Sequence, residues 1–219
     1  EPGEVVGLIG PNGAGKTTVV NGITGIVPTS DGSFGLGRDL TGQPTHTIAR
    51  TGLVRTFQNL RLLGALTVRE NVEAAALMAA RTRTDRARPD IDQLLVEADL
   101  WELRDRRARQ LDYGNSRRLE LARAVAMAPT ILLLDEPTSG MSDSESMAMV
   151  SRVRRMAELV GAGVLVIDHD LNFINGICDD VYCLDQGEVI AHGTPAEVQA
   201  HPAVQAAYLG TATHPALPD

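Results

Sequence analysis

The segment Gly10-Pro-Asn-Gly-Ala-Gly-Lys-Thr-Thr18 fits the pattern GxxxxGK[ST] in full, between an apolar run, Val5 to Ile9, and a helical pattern, Lys16 to Ile23. In that setting the residue types specify a phosphate-binding loop. Glycines let the main chain wrap closely around phosphate oxygens. The N–H groups from Gly13 to Thr17 are expected to point inward, and the helix starting near Lys16 adds its positive N-terminal end. Asn12, Gly13, Ala14, Gly15, Lys16, Thr17 and Thr18 are thus the candidate phosphate ligands. Lys16, the only lysine in the chain, offers a compact charge between the β- and γ-phosphates, and Thr17 offers a hydroxyl to Mg²⁺. A second element, Ile131-Leu-Leu-Leu-Asp-Glu136, is an apolar strand ending in two acids. Such strands end at the ligand-binding edge of an open α/β sheet. There Asp135 is placed to hold Mg²⁺ through water, and Glu136 to polarise an attacking water as a general base.

These groups need a scaffold that brings separate strand ends together. Val5 to Ile9, Ile131 to Leu134 and Gly163 to Ile167 are rich in Val, Ile and Leu with no polar alternation, as in strands buried on both faces of a parallel sheet. Val181 to Leu184 and Glu188 to Ile190 flank Gln186-Gly187, a hairpin signal. Helical patterns follow the strands at Lys16 to Ile23, Asp143 to Val160 and Asp170 to Ile177, so the fold class is α/β. From about Thr67 to Met127 only helices are legible. Thr67-Val-Arg-Glu70 reads as a capping box opening a helix to Ala80, Arg81 to Pro89 as a polar loop, and Ile91 to Leu100 as amphipathic. The division predicted is a nucleotide-binding core, 1–66 and 128–219, with a helical insertion at about 67–127.

Four strings in this order resemble the ABC ATPase family over nearly the whole chain: GPNGAGKTT, Thr-Phe-Gln58-Asn, LLLDEPTSG and Ile-Asp-His169-Asp. The resemblance implies a P-loop NTPase of the RecA-like type that binds and hydrolyses ATP with Mg²⁺. It assigns Gln58 to Mg²⁺, the catalytic water and sensing of the transport partner, and His169 to the γ-phosphate. With Lys16 and Glu136 these form the implied catalytic set; Thr17, Gln58 and Asp135 form the metal set. Leu111-Asp-Tyr-Gly-Asn-Ser-Arg-Arg118 occupies the place of the family's LSGGQ signature, with Asp112 at the serine and Tyr113 at the first glycine. An ionised aspartate cannot donate to a phosphate as serine does. Backbone N–H groups near Gly114 and Asn115 at a helix start remain able to bind it. The form Tyr-Gly-x-x-Arg-Arg-Leu-Glu, with Leu53 to Gln58, Arg61-Leu62 and Tyr208-Leu209-Gly210, is similar to ATPases of branched-chain amino-acid importers.

The same resemblance implies a second ATPase subunit facing the first, and permease subunits or a fused permease domain docking a short helix near Phe57 to Leu63. It also implies a location at the cytoplasmic face of the membrane. Ser142 stands where the family has an aspartate in the loop crossing the dimer interface. The chain begins at Glu1 and enters a strand at once, which reads as a piece of a longer polypeptide. The family's upstream β-subdomain, with its adenine-stacking aromatic residue, is largely missing from it.

Composition narrows the alternatives. Net charge is −8 and aromatic residues are 3%, which disfavours a nucleic-acid partner, while 43% hydrophobic residues suffice for a sizeable core. The cluster Arg81, Arg83, Arg86 and Arg88 is interleaved with Asp85, Asp90 and Asp92 and reads as a solvated loop. Cys178 and Cys183, with no further Cys/His cluster, read as small buried residues. No apolar run reaches the ~18 residues of a membrane span. A soluble, non-transport ABC ATPase acting on ribosomes or DNA, and a regulatory domain without turnover, remain as alternatives.

Overall fold

The run Val5–Ile9 (β1) is apolar throughout because it lies in the interior of a six-stranded sheet, with parallel neighbours on both sides. The computed structural model describes residues 1–29, 31–56, 60–82 and 88–211. Along the chain come Lys16–Ile23 (α1), Thr45–Arg50 (α2), Leu53–Arg55 (β2), Val68–Thr82 (α3), Ile91–Glu97 (α4) and Tyr113–Ala126 (α5). There follow Ile131–Asp135 (β3), Asp143–Val160 (α6), Gly163–Ile167 (β4), Leu171–Ile177 (α7), Asp180–Asp185 (β5), Glu188–Gly193 (β6), Pro195–Ala200 (α8) and Pro202–Thr211 (α9). Short 3₁₀ turns at Trp101–Leu103 and Ala108–Gln110 link α4 to α5.

The strand order is β2-β3-β4-β1-β5-β6. All pairs are parallel except β5–β6, the predicted hairpin. Its turn needs positive φ at both central residues, and Gln186 (49°) and Gly187 (85°) provide it. The registers Leu8↔Ile167 and Asp135↔Ile167 bring the carboxyl ends of β1, β4 and β3 to one level. At ~4.8 Å per strand, the ends of β1 and β3 lie roughly 10 Å apart with β4 between them.

The capping box at the start of α3 is formed: Glu70 N donates to the Thr67 hydroxyl (3.1 Å), and Thr67 N to the Glu70 carboxylate (2.7 Å). Helix α3 continues through Thr82, past the expected loop start at Arg81; residues 83–87 lie outside the described residues. Asp90 and Asp92, which border that arginine run, have partners among the described residues. Asp90 caps α4 by accepting from Asp92 N and Gln93 N, and Asp92 pairs with Arg69 of α3 at 2.6 Å. Helix α4 stops at Glu97 rather than Leu100. Asp99 adopts a left-handed φ of 57° and Leu100 N returns to Leu95 O (2.8 Å), a Schellman stop made without glycine. The larger of two apolar clusters in the core joins the sheet to α3–α7, with Leu132, Leu134, Met156 and Phe173 fully buried, and a smaller one packs Val20 of α1 with Leu8, Leu133 and Ile167 of the sheet. Both cysteines are free and buried, and burial pushes the Cys178 thiol up to about 12.

Candidate nucleotide site

Gly10 to Gly15 connect β1 to α1 at the centre of the sheet's carboxyl edge. Among the described residues, no acceptor is paired with the N–H groups of Gly13, Gly15, Lys16, Thr17 and Thr18, which leaves the start of α1 an open ring of donors. Ala14 is the exception within the run: its N–H turns back to Pro11 O (3.2 Å), and its side chain is buried. The Asn12, Thr17 and Thr18 side chains are exposed beside the ring. The Lys16 ammonium reaches back over the loop to Gly10 O (2.7 Å) and Pro11 O (3.0 Å). Burial lowers its pKa, and the negative charge of Glu136 acts in the opposite direction, so the two groups share one electrostatic site.

Asp135 is the last residue of β3 and Glu136 the first beyond it. Glu136 sits at φ 48°, a conformation that costs of order 1–3 kcal/mol for a residue with a side chain. Its N–H is held on Ile167 O of β4 at 2.7 Å. The structure adds a partner for Asp135: Arg55, at the end of β2, donates from Nη2 to Asp135 Oδ2 (2.6 Å) and from Nη1 to Asn21 Oδ1 on α1 (2.8 Å). One oxygen of Asp135 is therefore committed to a guanidinium. Among the described residues, no group of three His, Cys, Asp or Glu side chains is arranged to hold a metal. Magnesium carried by the phosphates of a nucleotide, with the Thr17 hydroxyl and the second Asp135 oxygen nearby, fits this donor set. Gln58, expected to complete it, lies outside the described residues.

His169 follows β4, between the loop and the two acids, with its side chain 70% exposed. The chain around it is fixed by its neighbour Asp168, which sequence reasoning read only as flanking sequence. Asp168 is 1% exposed and accepts four donors: Thr138 Oγ1 (2.7 Å), Thr138 N (3.2 Å), His169 N (2.7 Å) and Asp170 N (3.0 Å). It thus ties the segment after Glu136 to the segment carrying His169. In Asp168→Asn one acceptor oxygen becomes an NH₂ facing donors. Leaving buried donors unmet costs about 1–3 kcal/mol. Thermal unfolding should then shift down by about 2–4 °C per kcal/mol; an unchanged Tm would mean that the four contacts are dispensable.

The signature segment opens α5. Asp112 is the N-cap, accepting from Asn115 N (2.8 Å) and Asn115 Nδ2 (2.7 Å). The Asn115 backbone donor holds this carboxyl below its usual range, so its cap is present at neutral pH and fades as the pH falls through the carboxylate range. Both polar donors of Asn115, predicted as a phosphate ligand, are turned onto Asp112. Gly114 lies in the first turn of α5, beside them. Tyr113, which replaces a glycine of the usual form, donates its hydroxyl to Ser139 O (2.7 Å) and receives Arg117 Nη2 (2.8 Å). It fastens the signature helix to the segment after Glu136. Asp112→Ala should lower stability by about 1 kcal/mol through loss of the cap, whereas Asp112→Ser, which keeps an acceptor, should stay within a few tenths of wild type. Equal losses in the two variants would contradict the capping role.

Comparison with known proteins identifies the family. The family model described as ABC transporter matches residues 1–139, and one described as branched-chain amino acid ATP-binding cassette transporter matches residues 188–214. The high-affinity branched-chain amino acid transport ATP-binding protein LivG of Salmonella typhimurium is 39% identical over 224 residues, covering 95% of this chain and 88% of LivG. BraF of Pseudomonas aeruginosa, of the same description, is 38% identical over 227 residues, covering 97% and 89%. The lipopolysaccharide export system ATP-binding protein LptB of Acidithiobacillus ferridurans is 40% identical over 209 residues, covering 95% and 86%. The ADP conformation of MJ1267, an ATP-binding cassette of an ABC transporter, superposes with TM-score 0.80 at 28% identity, covering 95% of this chain and 89% of that one.

Proposed function

Because this chain belongs to the ABC transporter ATP-binding family, alongside the branched-chain amino-acid transport ATP-binding proteins, we propose that it is the ATP-hydrolysing motor subunit of an importer for branched-chain amino acids or related small polar solutes. The observation that carries the reading is the placement of the open amide ring and Lys16, after β1, and of Glu136, after β3, at one edge of the sheet on either side of β4. The 188–214 match and the names of LivG and BraF support the choice of cargo class. LptB, equally similar in sequence, is an export-system protein, so cargo is the point most in need of a direct test.

In this reading the N–H groups of Gly13 and Gly15 to Thr18, with Lys16, hold the β- and γ-phosphates of ATP. Thr17 and Asp135, with Gln58 as the family resemblance implies, would hold Mg²⁺, which when bound would neutralise charge on the phosphates. Glu136 accepts a proton from the attacking water, and Arg55 fixes the Asp135 carboxylate by holding one of its oxygens. His169 reaches the γ-phosphate from a backbone set by Asp168. The helix start at Gly114 faces the nucleotide of a second ATPase subunit, and residues 67–127 move as the helical unit. The relatives' names as transport ATP-binding proteins support a position against permease subunits on the cytoplasmic face; no helix among the described residues is long and apolar enough to cross a membrane.

Co-expression with a branched-chain amino-acid permease and its binding protein tests the assignment. ATP-dependent leucine uptake into vesicles is the expected result. Copurification with ribosomes or DNA in place of a permease would favour the non-transport alternative.

A further inference from the structure

The string Tyr208-Leu209-Gly210 has no part in the chemistry above, yet its tyrosine touches the phosphate loop. Gly10, the first loop residue, is buried, and its N–H donates to the Tyr208 hydroxyl on α9 at 3.0 Å across 198 residues of sequence. Gly10 has little room to move: a Cβ built on it would lie 2.1 Å from Leu184 O at the end of β5, and its φ is 147°. Its carbonyl accepts the Lys16 ammonium. The two peptide planes around Gly10 are therefore held on one side by α9 and on the other by the lysine that serves the phosphates. At the far end of the loop, Gly187 N donates to Ala14 O (2.9 Å) from the hairpin turn just before the 188–214 segment. The loop is thus braced at both ends, by α9 at Gly10 and by the β5–β6 turn at Ala14. Helix α9 is itself anchored, by buried Val204 and by Tyr208 packed against the core. Burial and the neighbouring Cys183 push the Tyr208 phenol above its ordinary range, which keeps it a neutral hydroxyl.

We propose that Tyr208 is a positioning residue for nucleotide binding: by accepting the Gly10 N–H its hydroxyl fixes the start of the phosphate loop and thereby sets nucleotide affinity. The proposal rests on the loop being the nucleotide site. The physical ground is that a buried N–H is rarely left without an acceptor and is costly when it is. Without the hydroxyl, the Gly10 amide must find another acceptor, and the Gly10 carbonyl that steadies Lys16 moves with it.

The test is Tyr208→Phe, which keeps the ring and its packing and removes the hydroxyl alone. Calorimetric titration with MgATP and with MgADP should show Kd raised about 5- to 20-fold, the lower part of the range implied by one unmet buried donor. Because the loop grips ground and transition states alike, KM should rise in step while kcat stays within about two-fold. The Gly10 amide should exchange faster with solvent, in nucleotide-free protein, than in wild type. Val204→Ala separates packing from hydrogen bonding, since it loosens α9 but keeps the hydroxyl; its Tm should fall with Kd unchanged. Equal nucleotide affinity in Tyr208→Phe and wild type, or equal weakening in both variants, would overturn the proposal while leaving the nucleotide site intact. Failure of wild type to bind MgATP would instead sink the reading of the loop itself.

Discussion

Glu136→Gln should bind MgATP as wild type does, within about three-fold, and turn it over about 10²–10⁴-fold more slowly, the span associated with loss of a general base. Glutamine has nearly the shape of glutamate, so the left-handed backbone at residue 136 and its N–H bond to Ile167 O need not change. What it lacks is a basic oxygen to take the proton of the attacking water. It also removes the negative charge that acts on Lys16, which leaves the lysine free to favour phosphate and keeps affinity from falling. Parallel calorimetry and phosphate-release assays decide the matter. Turnover near the wild-type rate would place the base elsewhere and leave Glu136 a structural role.

Lys16→Ala has the other large expected effect, on binding. In the structure the ammonium already lies on the loop, bonded to two carbonyls, and burial has lowered its pKa. Its removal takes away the only lysine charge of the chain from a site meant for a polyanion, and also releases the Gly10 and Pro11 carbonyls. A charge-assisted contact of this kind contributes about 1.5–3 kcal/mol, so affinity for MgATP should fall about 10- to 150-fold. An unchanged Kd would show that the amide ring alone carries the phosphates.

Much of this arrangement was legible because the chemistry lies on long, strongly patterned elements. The runs at β1, β3 and β4 are apolar on both faces and could only be interior strands, and the loop between β1 and α1 is unusually specific. Two helices near the C-terminus were less visible. Helix α8 carries its own signal, Pro195 at its start and a Thr194/Glu197 capping box, but is only six residues long. The three-residue edge strand β2 has too few positions to show a period. The roles of Arg55, Asp168, Tyr113 and Tyr208 were hidden for another reason. Each acts through a partner at least 26 positions away in the chain, and pairing at that range is decided by topology. Asn71 was hidden although its partners are local. It is fully buried in α3, where its amide bonds Leu63 O (3.0 Å) and Thr67 O (2.8 Å) and fixes the segment leading into the helix. Nothing in a polar residue on a helical pattern announces that use.

The central claim is that the phosphate loop and the acids after β3 act on one nucleotide. Phosphate release from the purified protein at millimolar MgATP tests it most directly, measured with and without a magnesium chelator. The account predicts steady release that stops when magnesium is withdrawn and is absent in Glu136→Gln. Tight ATP binding with no release above buffer, in the same purified wild-type protein, would contradict it.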